Sequence, residues 1–348
     1  IDTNKEVLKL DYLKDPDNET IVQSLNEFVE NYKKWGDEQK TKANDESKDD
    51  IDTAKKIVEK QQICMARMFD GVELIDKDPL IRKSFALANE VMSLQMKQDK
   101  KIDNPEWRPF QLGFILMVLE STVDKDGNSK YRDTLDLIWF PTGGGKTEAY
   151  LGLMVLLFIY RRLRYPASSG GTVAIMRYTL RLLCAQQFLR ATKAICALEL
   201  IRKERVKELG KETFSVGLWV GGSVTPNTFY QAYEQKKEGK LSKYTLLECP
   251  WCSNRFDAKN YIVTEKSFHF TCTNKDCDFG KETDNILPCN VVDYALYENP
   301  PSLLIATVDK FARLTWTDKP SVFFKNKNNK PPELIIQDEL HLISGALG

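Results

Sequence analysis

Three groups of residues in this sequence have the types and spacing to do chemistry. The first is Phe140-Pro141-Thr142-Gly143-Gly144-Gly145-Lys146-Thr147, where a run of glycines meets a lysine and a hydroxyl. Phosphate oxygens need several converging backbone N–H donors, and glycine lets the backbone curl that closely. On this reading Thr142, Gly143, Gly144 and Gly145 cradle a triphosphate, and Lys146 reaches the β- and γ-phosphates of ATP. The Thr147 hydroxyl ligates Mg2+. A strict G-x-x-x-x-G-K-T loop would have glycine where this chain has Phe140.

The second group is Asp338-Glu339, which follows the apolar run Leu334-Ile335-Ile336 and Gln337 and precedes Leu340-His341. A buried parallel strand presents its carboxyl end to a catalytic edge. There Asp338 can hold Mg2+ through water and Glu339 can polarise an attacking water. Lys146, Asp338 and Glu339 are therefore the candidate catalytic residues.

The third group is a pair of cysteine pairs, Cys249-Pro250-Trp251-Cys252 and Cys272 with Cys277. Brought together by a short hairpin, they make a tetrahedral four-sulfur site for Zn2+. Such a closed shell leaves no position for water and is structural. The second pair is wider than a tight C-x-x-C, and His269 and Cys289 are alternative ligands by type. Cys64, Cys184 and Cys196 fall in helical apolar patterns and read as core residues.

These groups need elements to position them. From Trp107 onward, compact apolar runs at Leu135–Phe140, Thr172–Met176, Ser215–Val220, Leu303–Thr307 and Leu334–Asp338 predict strands buried on both faces. Leu151–Leu163 and Leu180–Arg202 supply helices between them, which is the alternation of a parallel α/β sheet. Before Trp107 the apolar spacing is helical, over Ile21–Trp35, Ile51–Phe69 and Pro79–Met96, and Asp37–Asp52 reads as a charged loop. The expected organisation is a helical accessory region over 1–104 and an ATP-binding lobe over 105–348. A zinc-ribbon-like insertion at 241–290 interrupts that lobe.

The chain has 348 residues, with Lys+Arg and Asp+Glu equal at 50 each, so a nucleic-acid surface must come from local clustering. Arginine and lysine are in local excess from Arg161 to Lys207. The longest apolar run, Ala149–Tyr160, is too short to span a bilayer, so no membrane association is expected. Eight cysteines in a chain this long suit metal rather than a disulfide scaffold, which fits a reducing cytoplasm.

Residues around the phosphate loop narrow the function. In Trp107-Arg108-Pro109-Phe110-Gln111, the Gln111 amide suits an adenine edge and a neighbouring aromatic can stack on the base. Arg177, Thr179 and Arg181, at the passage from a strand to a helix, suit a polynucleotide backbone. Solvated helix charges are the other reading of the two arginines.

Together, W-R-P-F-Q, F-P-T-G-G-G-K-T-E-A-Y-L-G, M-R-Y-T-L-R-L-L, W-V-G-G, C-P-W-C and Q-D-E-L-H-L-I-S-G resemble superfamily 2 helicases of the DExH type. Among these they resemble the helicase subunits of DISARM antiphage systems. The resemblance covers Trp107 to Gly348 and, more loosely, the preceding helices. It implies a RecA-like P-loop lobe in which Thr142 to Thr147 matches the helicase core T-G-x-G-K-T and Gln111 is the adenine-reading glutamine. It also implies that Lys146, Thr147, Asp338 and Glu339 are ATPase residues and that Cys249, Cys252, Cys272 and Cys277 are zinc ligands. Gly221, Gly222 and Thr307 fall at further phosphate-tracking turns. DNA is the implied substrate, and a DrmB-like partner subunit is implied with it. In such motors a second lobe supplies an arginine finger. The expectation for this sequence alone is poor ATP hydrolysis and no unwinding. A phosphate-loop ATPase switch and a zinc-bearing interaction module without translocation are the alternatives.

Overall fold

The N-terminal third is helical over longer stretches than its apolar spacing predicts. The computed structural model describes residues 5–44, 50–100, 102–124, 127–140, 143–281, 286–312, 314, 318–324 and 328–340. Within them α1 (Leu10–Leu13), α2 (Thr20–Asn44), α3 (Ile51–Lys77), α4 (Pro79–Lys100) and α5 (Pro109–Thr122) follow one another. Residues 37–44, expected as loop, continue α2. Glu38, Gln39, Lys40, Lys42 and Ala43 are good helix formers, so the charge density marks a solvated helix instead.

The chain forms two compact units, Ile1–Lys97 with Lys101–Tyr160 and Gln98–Lys100 with Arg161–Gly348. In the first, α2 packs on α3 and α3 on α5. Gly71 of α3 permits the second contact, because a Cβ there would lie 2.1 Å from the Leu116 carbonyl oxygen. Trp107 is another fixed point. Its indole N–H donates to Asn89 Oδ1 at 2.7 Å. Its ring also occupies the space over Gly152 of α6 (Lys146–Arg164), where a Cβ would come within 2.7 Å of it.

The strand expected at Leu135–Phe140 has no ladder partner among the described residues. Leu135, Leu137 and Trp139 are 81%, 67% and 90% exposed. Asp136 instead turns toward the buried Arg67 in a two-pronged ion pair, with Nη2 to Oδ2 at 2.8 Å. The apolar run suits a strand, but here the charged pair decides which side faces inward.

The second unit holds a five-stranded parallel sheet of β1 (Ala174–Tyr178), β2 (Val216–Trp219), β5 (Cys289–Asn290), β6 (Leu303–Thr307) and β7 (Leu334–Gln337). Its order is β5-β2-β6-β1-β7. β2 and β6 are buried throughout, whereas β7 is an edge strand whose Ile335 is 58% exposed. A separate antiparallel hairpin, β3 (Tyr261–Thr264) with β4 (Ser267–Phe270), lies within the cysteine-bearing insertion.

Helix α7 (Arg181–Glu204) packs on β1, β2 and β6. Trp219, Ile175, Leu304, Ala306, Leu296 and Phe323 make one cluster against the sheet, with the Phe323, Phe311 and Tyr297 rings set edge-on to the indole.

Three buried arginines fasten the loops of this unit. Arg161 donates to the carbonyls of Pro331, Gly170 and Lys330. Arg162 donates to those of Leu209 and Glu212, each at 2.7 Å. Arg202 forms a bidentate pair with Glu199 at 2.7 and 2.9 Å. Part of the basic excess noted from Arg161 to Lys207, these three arginines, is therefore interior and contributes no surface for a partner. Among the described residues no helix is long and apolar enough to cross a membrane.

Gly71→Ala sets two effects against each other. Alanine adds about 1 kcal/mol of helix propensity. The new methyl, however, meets a backbone carbonyl that no rotamer change can move, an overpacking cost of about 1–3 kcal/mol. We expect a lower urea midpoint for Gly71→Ala. Gly36→Ala, where nothing lies within 4 Å of the added Cβ, should raise the midpoint.

Candidate functional site

Of the phosphate loop, Pro141 and Thr142 lie outside the described residues. Gly143 and Gly145 have φ of +80° and +88°, in the left-handed region that side chains disfavour. A Cβ on Gly145 would also sit 2.9 Å from Gln111 Nε2. Three of the loop's carbonyls are held by donors of the same unit. Arg108 Nη1 donates to Gly144 O at 2.7 Å, Gln111 Nε2 to Gly145 O at 2.6 Å, and Lys146 Nζ to Phe140 O at 2.7 Å. In a trans peptide the N–H points opposite to the C=O. Tying down the Gly144 and Gly145 carbonyls therefore directs the Gly145 and Lys146 N–H groups the other way. Those two groups head α6, where the helix dipole adds partial positive charge. Thr147 is buried and its Oγ1 accepts from the Tyr150 hydroxyl at 3.0 Å.

Gln111, the candidate for reading adenine, makes two contacts at the loop. Its Oε1 accepts the Arg108 N–H at 2.7 Å at the start of α5, its Nε2 holds the loop, and the side chain is buried. In this structure the amide is a strut between the head of α5 and the glycine loop. Phe110 stacks on Phe140 with ring centroids 3.9 Å apart, so this aromatic too is engaged with the loop.

The second unit gathers another set of residues by topology alone. Because its strands are parallel, Thr179, Gly221, Thr307 and Asp338 all follow or end strands at one edge of the sheet. Asp338 Oδ2 accepts from the buried Tyr178 hydroxyl at 3.1 Å, and Oδ1 accepts the Glu339 N–H at 2.9 Å. Glu339 has φ of +50°, uncommon for a side-chain-bearing residue and of the kind that concentrates at functional positions. Arg177 donates through Nε to Gln337 Oε1 at 3.1 Å.

The nucleic-acid candidates divide by exposure. Arg181, Gly222 and Ser223 are at the surface, and Arg181 Nη1 donates to Ser223 Oγ at 2.8 Å. Gly221 opens the turn with φ of +94°. Thr307 is 1% exposed, so its side chain is buried at the end of β6.

The cysteines converge. The four sulfurs of Cys249, Cys252, Cys272 and Cys277 all lie within 4.8 Å of one another. Cys249–Cys277 is 3.9 Å and Cys252–Cys272 is 3.7 Å. A tetrahedral zinc with sulfur at about 2.3 Å requires edges of about 3.8 Å, so the cage fits that ion. Its surroundings shift the thiols in opposite directions. Accepting a hydrogen bond from Cys249 pushes Cys277 down to about 6, while the same bond and burial push Cys249 up. Asn274 Nδ2 points at Cys252 Sγ, and the Trp251 indole N–H donates to Asp278 at 2.8 Å. The alternative ligands are elsewhere: Cys289 is in β5 of the main sheet and His269 in β4, and neither belongs to the cluster. Cys184 and Cys196 are fully buried as expected, whereas Cys64 is only partly so.

Sequence reasoning gave no role to Arg108, Tyr178 and Lys243, all of which touch these sites. R-P-F-Q carried a signal for the first. The others announce themselves only once distant segments meet.

Cys252→Ser should remove bound zinc, measured by elemental analysis of the purified chain. Cys289→Ser, which alters a buried thiol outside the cage, should retain about one zinc per chain. Equal zinc in both variants would exclude the four-sulfur site.

No family model matches the sequence. The chain is 34% identical over 401 aligned positions to the DISARM protein DrmA of Bacillus paralicheniformis, a match that covers 95% of this chain and 35% of that protein. The relationship is thus DrmA-like along nearly the whole chain, which spans about a third of its curated relative's length.

Proposed function

We propose that this chain is the ATP-binding lobe of a helicase-type motor that acts on DNA within a DISARM-like antiphage defence system. The observation that carries the reading is the edge of the second unit's sheet. Parallel strands end there in an acidic pair, an exposed arginine and a glycine turn. The glycine loop at the head of α6 supports the nucleotide part of the reading, because its carbonyls are tied back and two N–H groups are directed away from those ties. The likeness to DrmA supports the defence setting, and the proposal includes a cytoplasmic location and a DrmB-like partner.

The chemistry proposed is attack of water on the γ-phosphate of ATP. Lys146 neutralises β- and γ-phosphate charge, and Glu339 accepts the proton as water attacks. Thr147 and Asp338 would hold Mg2+, which supplies further charge neutralisation to the phosphate oxygens. Tyr178, bonded to Asp338 Oδ2, fixes the orientation of that carboxylate. The fold in this reading is RecA-like, with the cysteine cage as a structural zinc module.

Lys146→Ala should weaken binding of a fluorescent ATP analogue at least about tenfold. Glu339→Gln should leave that binding in place and reduce hydrolysis by about 10²–10⁴, the range for loss of a general base. Binding that is indifferent to Lys146→Ala would remove the nucleotide reading and leave the cysteine module as the functional part.

A further inference from the structure

Two cations converge on one exposed turn of the second unit. Arg181 Nη1 donates to the Ser223 hydroxyl at 2.8 Å, and Lys243 Nζ donates to the Ser223 carbonyl at 2.9 Å. Among the described residues neither forms an ion pair with a carboxylate. Lys310, which flanks the same turn beside Gly221, is compensated: its ammonium lies 2.6 Å from Asp293 and 4.9 Å from the Trp219 ring centroid. Arg181 and Lys243 thus carry the uncompensated positive charge at this turn.

Their origins differ. Arg181 opens α7 directly after β1, whereas Lys243 lies in the single helical turn Leu241–Tyr244 at the entrance to the cysteine module. The next residue anchors Lys243. Tyr244 is fully buried, its hydroxyl donates to Ala232 O at 2.6 Å, and its ring lies 4.9 and 5.0 Å from those of Tyr261 and Phe268 in the hairpin. The hairpin leads directly into the cage, since Thr271 pairs with Asn260 and the ligand Cys272 follows it. The module therefore fixes where this ammonium sits.

We propose that Lys243 is a polynucleotide-contacting residue, held by the zinc module beside Arg181 so that the two grip one phosphodiester group of a single strand. This rests on the reading of the chain as a DNA motor lobe. The chemistry suits the ligand. A guanidinium has five N–H donors and an ammonium three, so each keeps donors beyond its bond to Ser223. Charge-assisted hydrogen bonds to phosphate are stronger than those to a neutral hydroxyl or carbonyl. The contact would position the strand without reading its sequence.

The test uses the whole chain and a fluorescently labelled 20-nucleotide oligothymidylate, with anisotropy measured across a salt titration. A phosphate cation on a single strand contributes about 0.7 to the slope of log K against log salt. Lys243→Gln and Arg181→Gln should each weaken binding and flatten that slope by about this amount, and Lys243→Arg should restore it. Lys240→Gln is the control, because it removes a charge three residues away that is already 2.7 Å from Glu238. It should leave the slope unchanged. A Lys243→Gln slope equal to that of the unsubstituted chain overturns the proposal and leaves the motor reading standing. Equal effects of Lys240→Gln and Lys243→Gln also overturn it, because general electrostatics would then suffice. Failure of the unsubstituted chain to bind the oligonucleotide overturns both.

Discussion

The second unit depends on parallel hydrogen bonding between β1 and its two neighbours. In that register Arg177 faces Gln337 and Tyr178 faces Thr307, while Trp219 faces Ala306 one strand further on. Parallel pairing is what delivers the ends of β1, β2, β6 and β7 to a common edge. An antiparallel β7 would carry Asp338 to the far side of the sheet, away from the Tyr178 hydroxyl that it accepts from. A slip of one residue would be as damaging, because it turns every side chain of a strand to the opposite face. Burial specifies the register well in β2 and β6, which have no exposed side. At β7 it is specified less by burial than by the Arg177–Gln337–Asp338 contacts, since that strand is half open to solvent.

Charge in this chain separates into two populations, and the separation follows burial. Arg67, Arg161, Arg162 and Arg202 are interior and engage carbonyls or carboxylates. Desolvation depresses the Arg161 and Arg162 pKa values from the ordinary guanidinium value, and nearby carboxylates oppose the shift. A guanidinium with several donors in a fixed fork can satisfy two or three loop carbonyls at once, which one lysine does less well. The loops that lead into β1, β2 and β7 are thereby fastened by arginines that no partner reaches. Arg181 belongs to the other population, exposed and bonded only to a neutral hydroxyl in the contacts described. A net charge of zero over the whole chain conceals this division.

How much of this was legible in the sequence depends on how local each signal is. Four of the five sheet strands announced themselves as apolar runs, and the two cysteine pairs called for the short hairpin between them. β5 is two residues long and gave no pattern to read. The cysteine cage was legible because two close pairs leave few arrangements for four sulfurs. Leu135–Phe140 misled for a physical reason. An apolar run states a preference for pairing but not whether a ladder is at hand, and the Arg67–Asp136 pair joins residues 69 apart. The same distance problem hid Tyr178 behind Asp338, 160 residues away. Gln111 was visible as a residue of interest, but its contacts with Arg108 and Gly145 were not, because an amide can meet many different donors and acceptors.

The insertion illustrates how a small module becomes structurally consequential. A hairpin of two four-residue strands is too short to be stable alone. Here it has a core of Tyr244, Tyr261, Phe268 and Phe270, with ring centroids about 5–6 Å apart. It is also tied to the main sheet, because Asn290 of β5 donates to Phe268 O at 3.0 Å and Leu287 N donates to Phe270 O at 2.8 Å. The module leaves the main chain after the turn that follows β2 and returns as β5, the neighbour of β2. Both of its ends are thus set by adjacent strands of one sheet. A metal in the cage would limit the conformations open to the loops beyond the hairpin, as structural zinc does in other small domains. Such ordering reaches the Ser223 turn through covalent chain, the ring contacts of Tyr244 with Tyr261 and Phe268, and the Lys243–Ser223 hydrogen bond rather than through any long-range field. The insertion is therefore mechanically continuous with the strand ends it departs from, and its stability and theirs are coupled.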